Sequence, residues 1–318
     1  MTISVNEKGL EIVEEMMNNA EKLDCTVTKS GNGATIIDAG IEVTGTDELG
    51  RLLGEVCLGG YGVVKLSEVT IGDVTLPSVI VSTDEPAIST MGSQYAGWII
   101  NEDGYFAMGS GPARALYAKE KIYKELEYKD DAKVGVLLLE TRTPPPDNVI
   151  EYIAGKCGIE TKDLYLIVAP TACLAGSIQI SARVVEVGAH KLHELGFDVR
   201  KIRRGHGVAP IAPMVSTKDN KMMGATNDCI LYAGSTYYDI RPDEGDDLKK
   251  LTQDAPSSNS EQYGQPFYKL FKSFDFDFYK VDPLLFSPAK VTIKDITNDE
   301  VYEAGELNVE VLKQSLEL

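Results

Sequence analysis

The chain has 318 residues, slightly more than one hydrophobic core usually supports, so its length favours two modest domains. Hydrophobic residues make up 43% and charged residues 25%, and no apolar run approaches the roughly 20 residues that span a bilayer. The formal net charge of −18 disfavours nucleic acid and anionic membranes as partners, because both attract Lys and Arg. We therefore expect a globular protein that binds neither.

The cysteines are scattered, odd in number and without a CxxC pair; they are Cys25, Cys57, Cys157, Cys173 and Cys229. This distribution is typical of buried or free thiols in a reducing compartment, and it disfavours disulfides and zinc. The N-terminal stretch lacks the basic and then apolar order of a secretion signal. We therefore expect a cytoplasmic location.

The predicted elements begin with a helix. Ser4 and Glu7 have the capping-box spacing, and apolar residues then recur at helical intervals to about Leu23. The elements predicted next are a strand, turn and strand over 26–38, a helix over 48–57, strands over 63–81 and a buried strand over 134–139.

A proline-rich segment, Thr141–Asp147, follows that buried strand. Prolines cannot continue a helix or a central strand, so we expect a domain boundary that divides the chain into residues 1–142 and 143–318. A rigid loop within one domain is the alternative. A cleft between two domains is the default place for a binding site.

The second half contains a polar segment and two further predicted elements. Residues 241–265 are rich in polar residues, glycine and proline, which indicates an exposed excursion or a mobile flap. A strand is predicted over 291–296 and a helix over 309–316. Because strands and helices mix without a regular βαβ rhythm, we predict a mixed α/β (α+β) fold with two domains of partly antiparallel sheets flanked by helices.

Residues 177–197 have helical periodicity, with an apolar stripe on one face and Arg183, Glu186, His190 and His193 on another. Arg183 and Glu186 are three residues apart, so their side chains are neighbours on a helix. A carboxylate beside a guanidinium can act as a positioned general base. The alternative is a solvated surface pair worth about 0.2–0.5 kcal/mol.

Two other chemistries are weaker candidates. His190, His193 and Glu186 lack the usual metal spacing of two histidines four residues apart, so we predict no metal site. Cys173 precedes the helix in a turn-like sequence and would be a nucleophile if His206 lay near it, whereas packing of the thiol is the alternative.

The sequence from Met108 to Arg114 contains a glycine loop, with Ser110 as the expected helix cap and Pro112 as the expected first helical residue. The free N–H groups of such a helix start, with Arg114 beside them, attract anions; an ordinary capped helix is the alternative. The segment has neither the Walker ending nor GxGxxG spacing, so no nucleotide cofactor is predicted.

Several separated stretches, in the same order and in a chain of matching length, resemble the methenyltetrahydromethanopterin cyclohydrolases. These stretches are Ser93–Trp98, Met108–Leu116, Ser181–Glu186, Arg204–Gly207 and Asp282–Ala289. The resemblance covers the whole chain. Arg183 and Glu186 occupy the positions where that family carries its active-site arginine and glutamate.

The resemblance implies reversible hydrolysis of N5,N10-methenyltetrahydromethanopterin to N5-formyltetrahydromethanopterin in one-carbon metabolism and methanogenesis. The bridge carbon is an electrophilic amidinium carbon, so a positioned water suffices and no tightly bound cofactor is expected besides the pterin carrier. Glu186 is then expected to take the proton of the water. Arg183 repels a cationic substrate and favours the ionised form of Glu186, which makes Glu186 a weaker base, whereas burial of the carboxyl group opposes that ionisation. The alternative role of Arg183 is to fix the rotamer of Glu186.

The resemblance also implies a homotrimer and a substrate whose anionic tail needs local positive potential. The residues predicted to bind substrate are Ser93, Gln94, Tyr95, Ser110, Gly111 and Arg114. Gln94 suits the edge of a pterin, and Tyr95 or Trp98 suits stacking on its ring. The alternatives to a cyclohydrolase are a non-catalytic pterin-binding protein and a cysteine hydrolase that uses Cys173.

Overall fold

The structure, a computed structural model, describes residues 3–277 and 280–318. The helices in chain order are α1 (Val5–Asn18), α2 (Ala20–Leu23), α3 (Asp47–Cys57), α4 (Ala113–Tyr117), α5 (Ile122–Leu126), α6 (Asp147–Cys157), α7 (Leu174–Ser181), α8 (Val184–Glu194), α9 (Asp219–Ala233), α10 (Leu248–Asp254), α11 (Phe267–Ser273) and α12 (Val309–Leu316). The strands are β1 (Thr26–Lys29), β2 (Thr35–Asp38), β3 (Gly62–Ile71), β4 (Val74–Thr83), β5 (Trp98–Glu102), β6 (Tyr105–Ser110), β7 (Gly135–Glu140), β8 (Leu164–Ala169), β9 (Ile202–Pro210), β10 (Ser235–Ile240), β11 (Lys290–Asp295) and β12 (Val301–Gly305). A π-helix spans Ala87–Gln94.

Most local predictions are confirmed. The hydroxyl of Ser4 caps α1 by accepting from the Glu7 amide at 3.2 Å, although the helix predicted to Leu23 breaks at Asn19 into α1 and α2. The remaining segments match β1 and β2, α3, β3 and β4, β7, β11 and α12. The stretch 177–197 differs, because it forms α7 and α8 with Ala182 and Arg183 between them.

The chain divides into two compact units, each built from two parts of the sequence. Unit 1 comprises the described residues within 1–63 and 88–179, and unit 2 those within 64–87 and 180–318. This division differs from the boundary expected at residue 142. The proline segment lies inside unit 1, because the strands before and after it, β7 and β8, pair in parallel in one sheet.

Unit 1 is a six-stranded mixed sheet in the order β1-β2-β8-β7-β6-β5, with helices on both faces. Val136 and Leu138 of β7 pack with α1 and α3, whereas Leu137 and Leu139 pack with α6 on the other face. A strand that is buried on both faces needs apolar residues at every position. This requirement accounts for the unbroken apolar run.

Unit 2 is a second six-stranded mixed sheet, in the order β12-β11-β10-β9-β4-β3. Strand β10 is parallel to β11 and antiparallel to β9, and β9 is antiparallel to β4. Helix α8 packs on β4, β9 and β10, while α9 packs with α11 and α12. Both sheets thus have the mixed, partly antiparallel character that the sequence predicted.

The prediction of an exposed or mobile excursion over 241–265 is only partly right, because many of these residues are exposed but others are buried. The segment contains α10, which packs on β11 and β12, and it buries Leu248, Thr252 and Ser257. The hydroxyl of Thr252 donates to the Leu248 carbonyl at 2.7 Å, and that of Ser257 to the Leu231 carbonyl at 2.5 Å. These two polar side chains therefore satisfy main-chain groups inside unit 2, which polarity alone did not reveal.

Asp228 of α9 connects three helices of unit 2. Its buried carboxylate accepts the amide of Phe267, at the start of α11, at 3.0 Å and the hydroxyl of Ser315, on α12, at 2.5 Å. Burial raises the pKa of Asp228 to about 8, although both hydrogen bonds favour the charged form and oppose this shift.

We expect this carboxyl group to make stability depend on pH. Between an unfolded pKa of about 4 and the folded pKa of about 8, the folded protein retains a proton that the unfolded chain has lost. The free energy of unfolding should therefore fall as pH rises through this window, by up to about 1.4 kcal/mol per pH unit from this group. Urea unfolding from pH 5 to pH 8 measures the slope. Asp228→Asn should flatten it, and an unchanged slope in that variant would contradict the assignment.

Candidate active site

Arg183 and Glu186 lie together at the start of α8. Arg183 immediately precedes the helix, and Glu186 is in its first turn, where a carboxylate is favoured by the helix dipole. The two residues are 8% and 5% exposed, and Arg183 Nη1 lies 3.9 Å from Glu186 Oε2. The pair is therefore not the solvated surface contact that the spacing alone left open.

Two glycines of β9 allow α8 to pack closely on the sheet of unit 2. A Cβ atom on Gly205 would lie 2.6 Å from Val185 Cγ1, and one on Gly207 would lie 2.8 Å from Val184 Cγ1. Side chains at these positions would push the first turn of α8 off the strand. The glycines of the Arg204–Gly207 stretch thus help to set the position of Arg183 and Glu186.

The histidines on α8 lie near a carboxylate. His190 Nε2 and His193 Nδ1 are each 3.7 Å from Glu194 Oε1, and burial lowers the pKa of His190. Within residues 3–277 and 280–318, no group of three or more His, Cys, Asp or Glu side chains could hold a metal ion. His206 alternates along β9 with Gly205 and Gly207, so it occupies the strand face opposite to α8.

Cys173 lies in the core of unit 1. Its Sγ donates to the Pro170 carbonyl at 3.1 Å and accepts from the Gly176 amide at 3.2 Å. A Cβ atom on Gly40 would lie only 2.3 Å from the same sulfur. These contacts favour packing of the thiol over a nucleophilic role.

The residues predicted to bind substrate form one hydrogen-bonded network in unit 1. The π-helix ends at Ser93 and Gln94, both of which are fully buried. Such helices are rare in proteins, and those that occur often lie at functional sites. The hydroxyl of Ser110 donates to the Gln94 carbonyl at 2.6 Å, and the Gly111 amide donates to the Ser93 carbonyl at 2.9 Å. The structure therefore brings together segments that are separated in the sequence.

Arg114 is the centre of this network. Its side chain is completely buried, and Nη1 donates to the carbonyls of Ser93, at 2.8 Å, and Met91, at 3.3 Å. Nη2 donates to Glu120 at 2.6 Å, and the guanidinium carbon lies 5.2 Å from the centre of the Tyr95 ring. The sequence did not predict Glu120 as the partner of Arg114, because the two residues are six positions apart, whereas neighbours on a helix are three or four apart.

The prediction that Ser110 caps a helix is wrong. Ser110 is the last residue of β6, and α4 begins at Ala113 after Pro112, without a side-chain cap. The glycine loop joins a strand to a helix of only five residues, so it is a tight turn rather than an open helix start. Trp98 is 5% exposed and packs on Tyr117, with ring centres 4.8 Å apart, so it is a core residue.

Comparison with known proteins defines the class. A sequence model of the family described as Cyclohydrolase (MCH) matches residues 4–316, and the chain belongs to this family. Proteins named methenyltetrahydromethanopterin cyclohydrolase are similar to it over nearly their whole length. The relative from Methanocaldococcus jannaschii is 51% identical over 99% of this chain and 98% of the relative. Those from Methanococcoides burtonii and Methanosarcina barkeri are 46% and 45% identical, each over 98% of both chains.

Of the helices in the described part of the chain, none is both long and apolar enough to cross a bilayer.

We expect Arg114→Met to destabilise the protein by about 3–5 kcal/mol, because the substitution removes one partner of a buried ion pair and leaves main-chain carbonyls without their donor. Lys162→Met is the control in unit 1. Lys162 pairs with Glu160 at 2.6 Å, and both side chains are mostly exposed, so its loss should change the free energy of unfolding little. Denaturant unfolding compares the two variants, and equal losses would refute the central role of Arg114.

Proposed function

We propose that this protein catalyses the reversible hydrolysis of N5,N10-methenyltetrahydromethanopterin to N5-formyltetrahydromethanopterin. The observation that carries the proposal is the full-length similarity to proteins named for this activity. It is supported by the buried pair of Arg183 and Glu186, a guanidinium and a carboxylate at the start of one helix. The protein is thus a hydrolase that acts on a carbon–nitrogen bond of a cyclic amidine.

The reaction needs a base more than an electrophilic catalyst. The bridge carbon lies between two nitrogens that share a positive charge, so water can add to it directly. Glu186 accepts one proton of the water as the C–O bond forms, which gives a neutral hydroxyl adduct. The protonated Glu186 then gives its proton to N10 as the bond from carbon to N10 breaks, and the hydroxyl releases its proton to solvent to leave a formyl group on N5. The net products are the formyl compound and one proton.

Arg183 fits a role in holding the attacking water. The 3.9 Å between its Nη1 and Glu186 Oε2 exceeds the range of a direct hydrogen bond between these atoms. A water between them could accept from the guanidinium and donate to the carboxylate. Repulsion of the cationic substrate is relieved during attack, because the adduct is neutral.

Ser93, Gln94 and Tyr95 are the proposed contacts to the pterin. Their support is the π-helix and the network that fixes their backbone. Ser110, Gly111 and Arg114 complete the proposed binding region. Because Ser110 and Arg114 donate to the Gln94 and Ser93 carbonyls, we propose that they hold the 93–95 segment in its binding conformation.

The two other candidate functions gain no support. A cysteine hydrolase needs an accessible thiolate, whereas Cys173 is 7% exposed and bonded to main-chain groups. A non-catalytic pterin-binding protein would not need a buried base beside a guanidinium. Assay of the methenyl compound by absorbance separates these functions from the cyclohydrolase.

We also propose that the protein is a cytoplasmic homotrimer that acts in one-carbon metabolism and methanogenesis without a tightly bound cofactor. The assembly is proposed from the family resemblance, and the lack of a cofactor from the electrophilic character of the substrate. Light scattering of the purified protein should give three times the 34.6 kDa chain mass. A stable monomer at micromolar concentration would contradict the proposed trimer.

Elemental analysis should find no stoichiometric metal. Activity lost on chelation would contradict the proposed lack of a tightly bound cofactor.

We expect Glu186→Gln to lower turnover by about 10²- to 10⁴-fold, because glutamine keeps the size of the side chain but cannot accept the proton of the water. Substrate affinity and the thermal midpoint should change much less. Glu194→Gln, at the other end of α8, is the matched control and should retain turnover. If Glu186→Gln turned over at the rate of the native protein, the assignment of Glu186 as the base would be wrong.

A further inference from the structure

Tyr238 of β10 is bonded to the first turn of α8. The residue is completely buried, and its Oη donates to the Val185 carbonyl at 2.8 Å. The Val185 carbonyl and the Glu186 amide belong to the same peptide group, which is planar. The phenol therefore holds the peptide plane from which the Glu186 side chain departs.

A glycine on α8 makes room for this hydroxyl. A Cβ atom on Gly188 would lie 2.1 Å from Tyr238 Oη. Glycine inside a helix costs roughly 0.5–1 kcal/mol relative to alanine. A side chain at residue 188 would clash with the Tyr238 hydroxyl, so the glycine and the contact to the Val185 carbonyl form one arrangement.

Electrostatics keep the hydroxyl a donor. Burial holds the pKa of Tyr238 far above its ordinary value, and the nearby Glu186 carboxylate raises that pKa further. The phenol consequently stays protonated near neutral pH. Its proton is donated to a main-chain carbonyl, which favours a role through position.

We propose that Tyr238 is a positioning residue for Glu186, and that its hydrogen bond to the Val185 carbonyl holds the carboxylate in the geometry for proton transfer. The inference rests on the proposed role of Glu186 as the base. Its physical basis is that displacements of about 1 Å at a reacting group can cost about 10²-fold in rate. Tyr238 acts through the backbone of α8 and is assigned no contact with the substrate.

The test compares two tyrosines of unit 2. Tyr238→Phe keeps the ring and removes the hydroxyl, so it should lower kcat by about 10-fold or more and change KM by less than about 2-fold. Tyr232 is 1% exposed, and its hydroxyl also donates to a main-chain carbonyl, that of Gln265, at 2.7 Å. Tyr232→Phe should lower the thermal midpoint to a similar extent and leave kcat unchanged. Equal kcat values for the two variants would overturn the inference.

A double-substitution cycle shows whether the effect passes through Glu186. In the Glu186→Gln background, Tyr238→Phe should change the residual turnover by less than about 2-fold, because no base remains to be positioned. A full additional loss in that background would overturn the inference. If Glu186→Gln alone retained native turnover, the proposed base and this inference would both fall; if only Tyr238→Phe were silent, the base would stand.

A second variant keeps the test decisive if Tyr238→Phe does not fold. Gly188→Ala displaces the hydroxyl without removing it, because the added methyl group takes its position. Assayed well below its thermal midpoint, this variant should show the same loss in kcat with KM retained. Native kcat in Gly188→Ala would overturn the inference.

Discussion

The close approach of one helix to one sheet is the constraint on which the candidate chemistry depends. The first turn of α8 lies against β9 and β10, and at Gly205 and Gly207 the strand β9 places no side chain between them. A helix held at this distance cannot rotate or slide without clashes, so the side chains at its start have a defined position. Arg183 and Glu186 are those side chains, and their burial next to each other follows from this packing.

Unit 1 stabilises its candidate binding segment in a different way. A buried guanidinium, rather than close apolar packing, collects the carbonyls at the end of the π-helix. A guanidinium has several N–H donors in one plane, so a single side chain can satisfy more than one carbonyl here. Glu120 balances the charge, so the interior holds a paired cation rather than an isolated one.

Local patterns predicted local structure well, and long-range contacts account for the rest. Alternation and helical periodicity predicted most strands and helices, because core-facing residues repeat with the period of each element. The spacing of Arg183 and Glu186 indicated that they are neighbours but not that they are buried, since burial depends on glycines of β9 that are distant in the sequence. Ser110 carried the local signature of a helix cap, yet the carbonyl of Gln94 uses its hydroxyl. Glu120 and Tyr238 had no sequence signal, because only the folded chain brings them to Arg114 and α8.

The interrupted order of the two units bears on how the chain folds during synthesis. Strands β3 and β4 belong to unit 2, but they leave the ribosome before most of unit 1. Strand β4 has β3 as a local partner on one side, but its partner on the other side is β9, with Val79 opposite Ala209. That second edge of β4 stays open until the ribosome has made more than half of the remaining chain. Such non-local pairing slows folding and leaves an apolar edge open to association with other nascent chains. Strand β4 carries Pro77 near its start, beside Leu76. A proline in a strand whose edge is exposed hinders pairing of that edge with the strand of another chain.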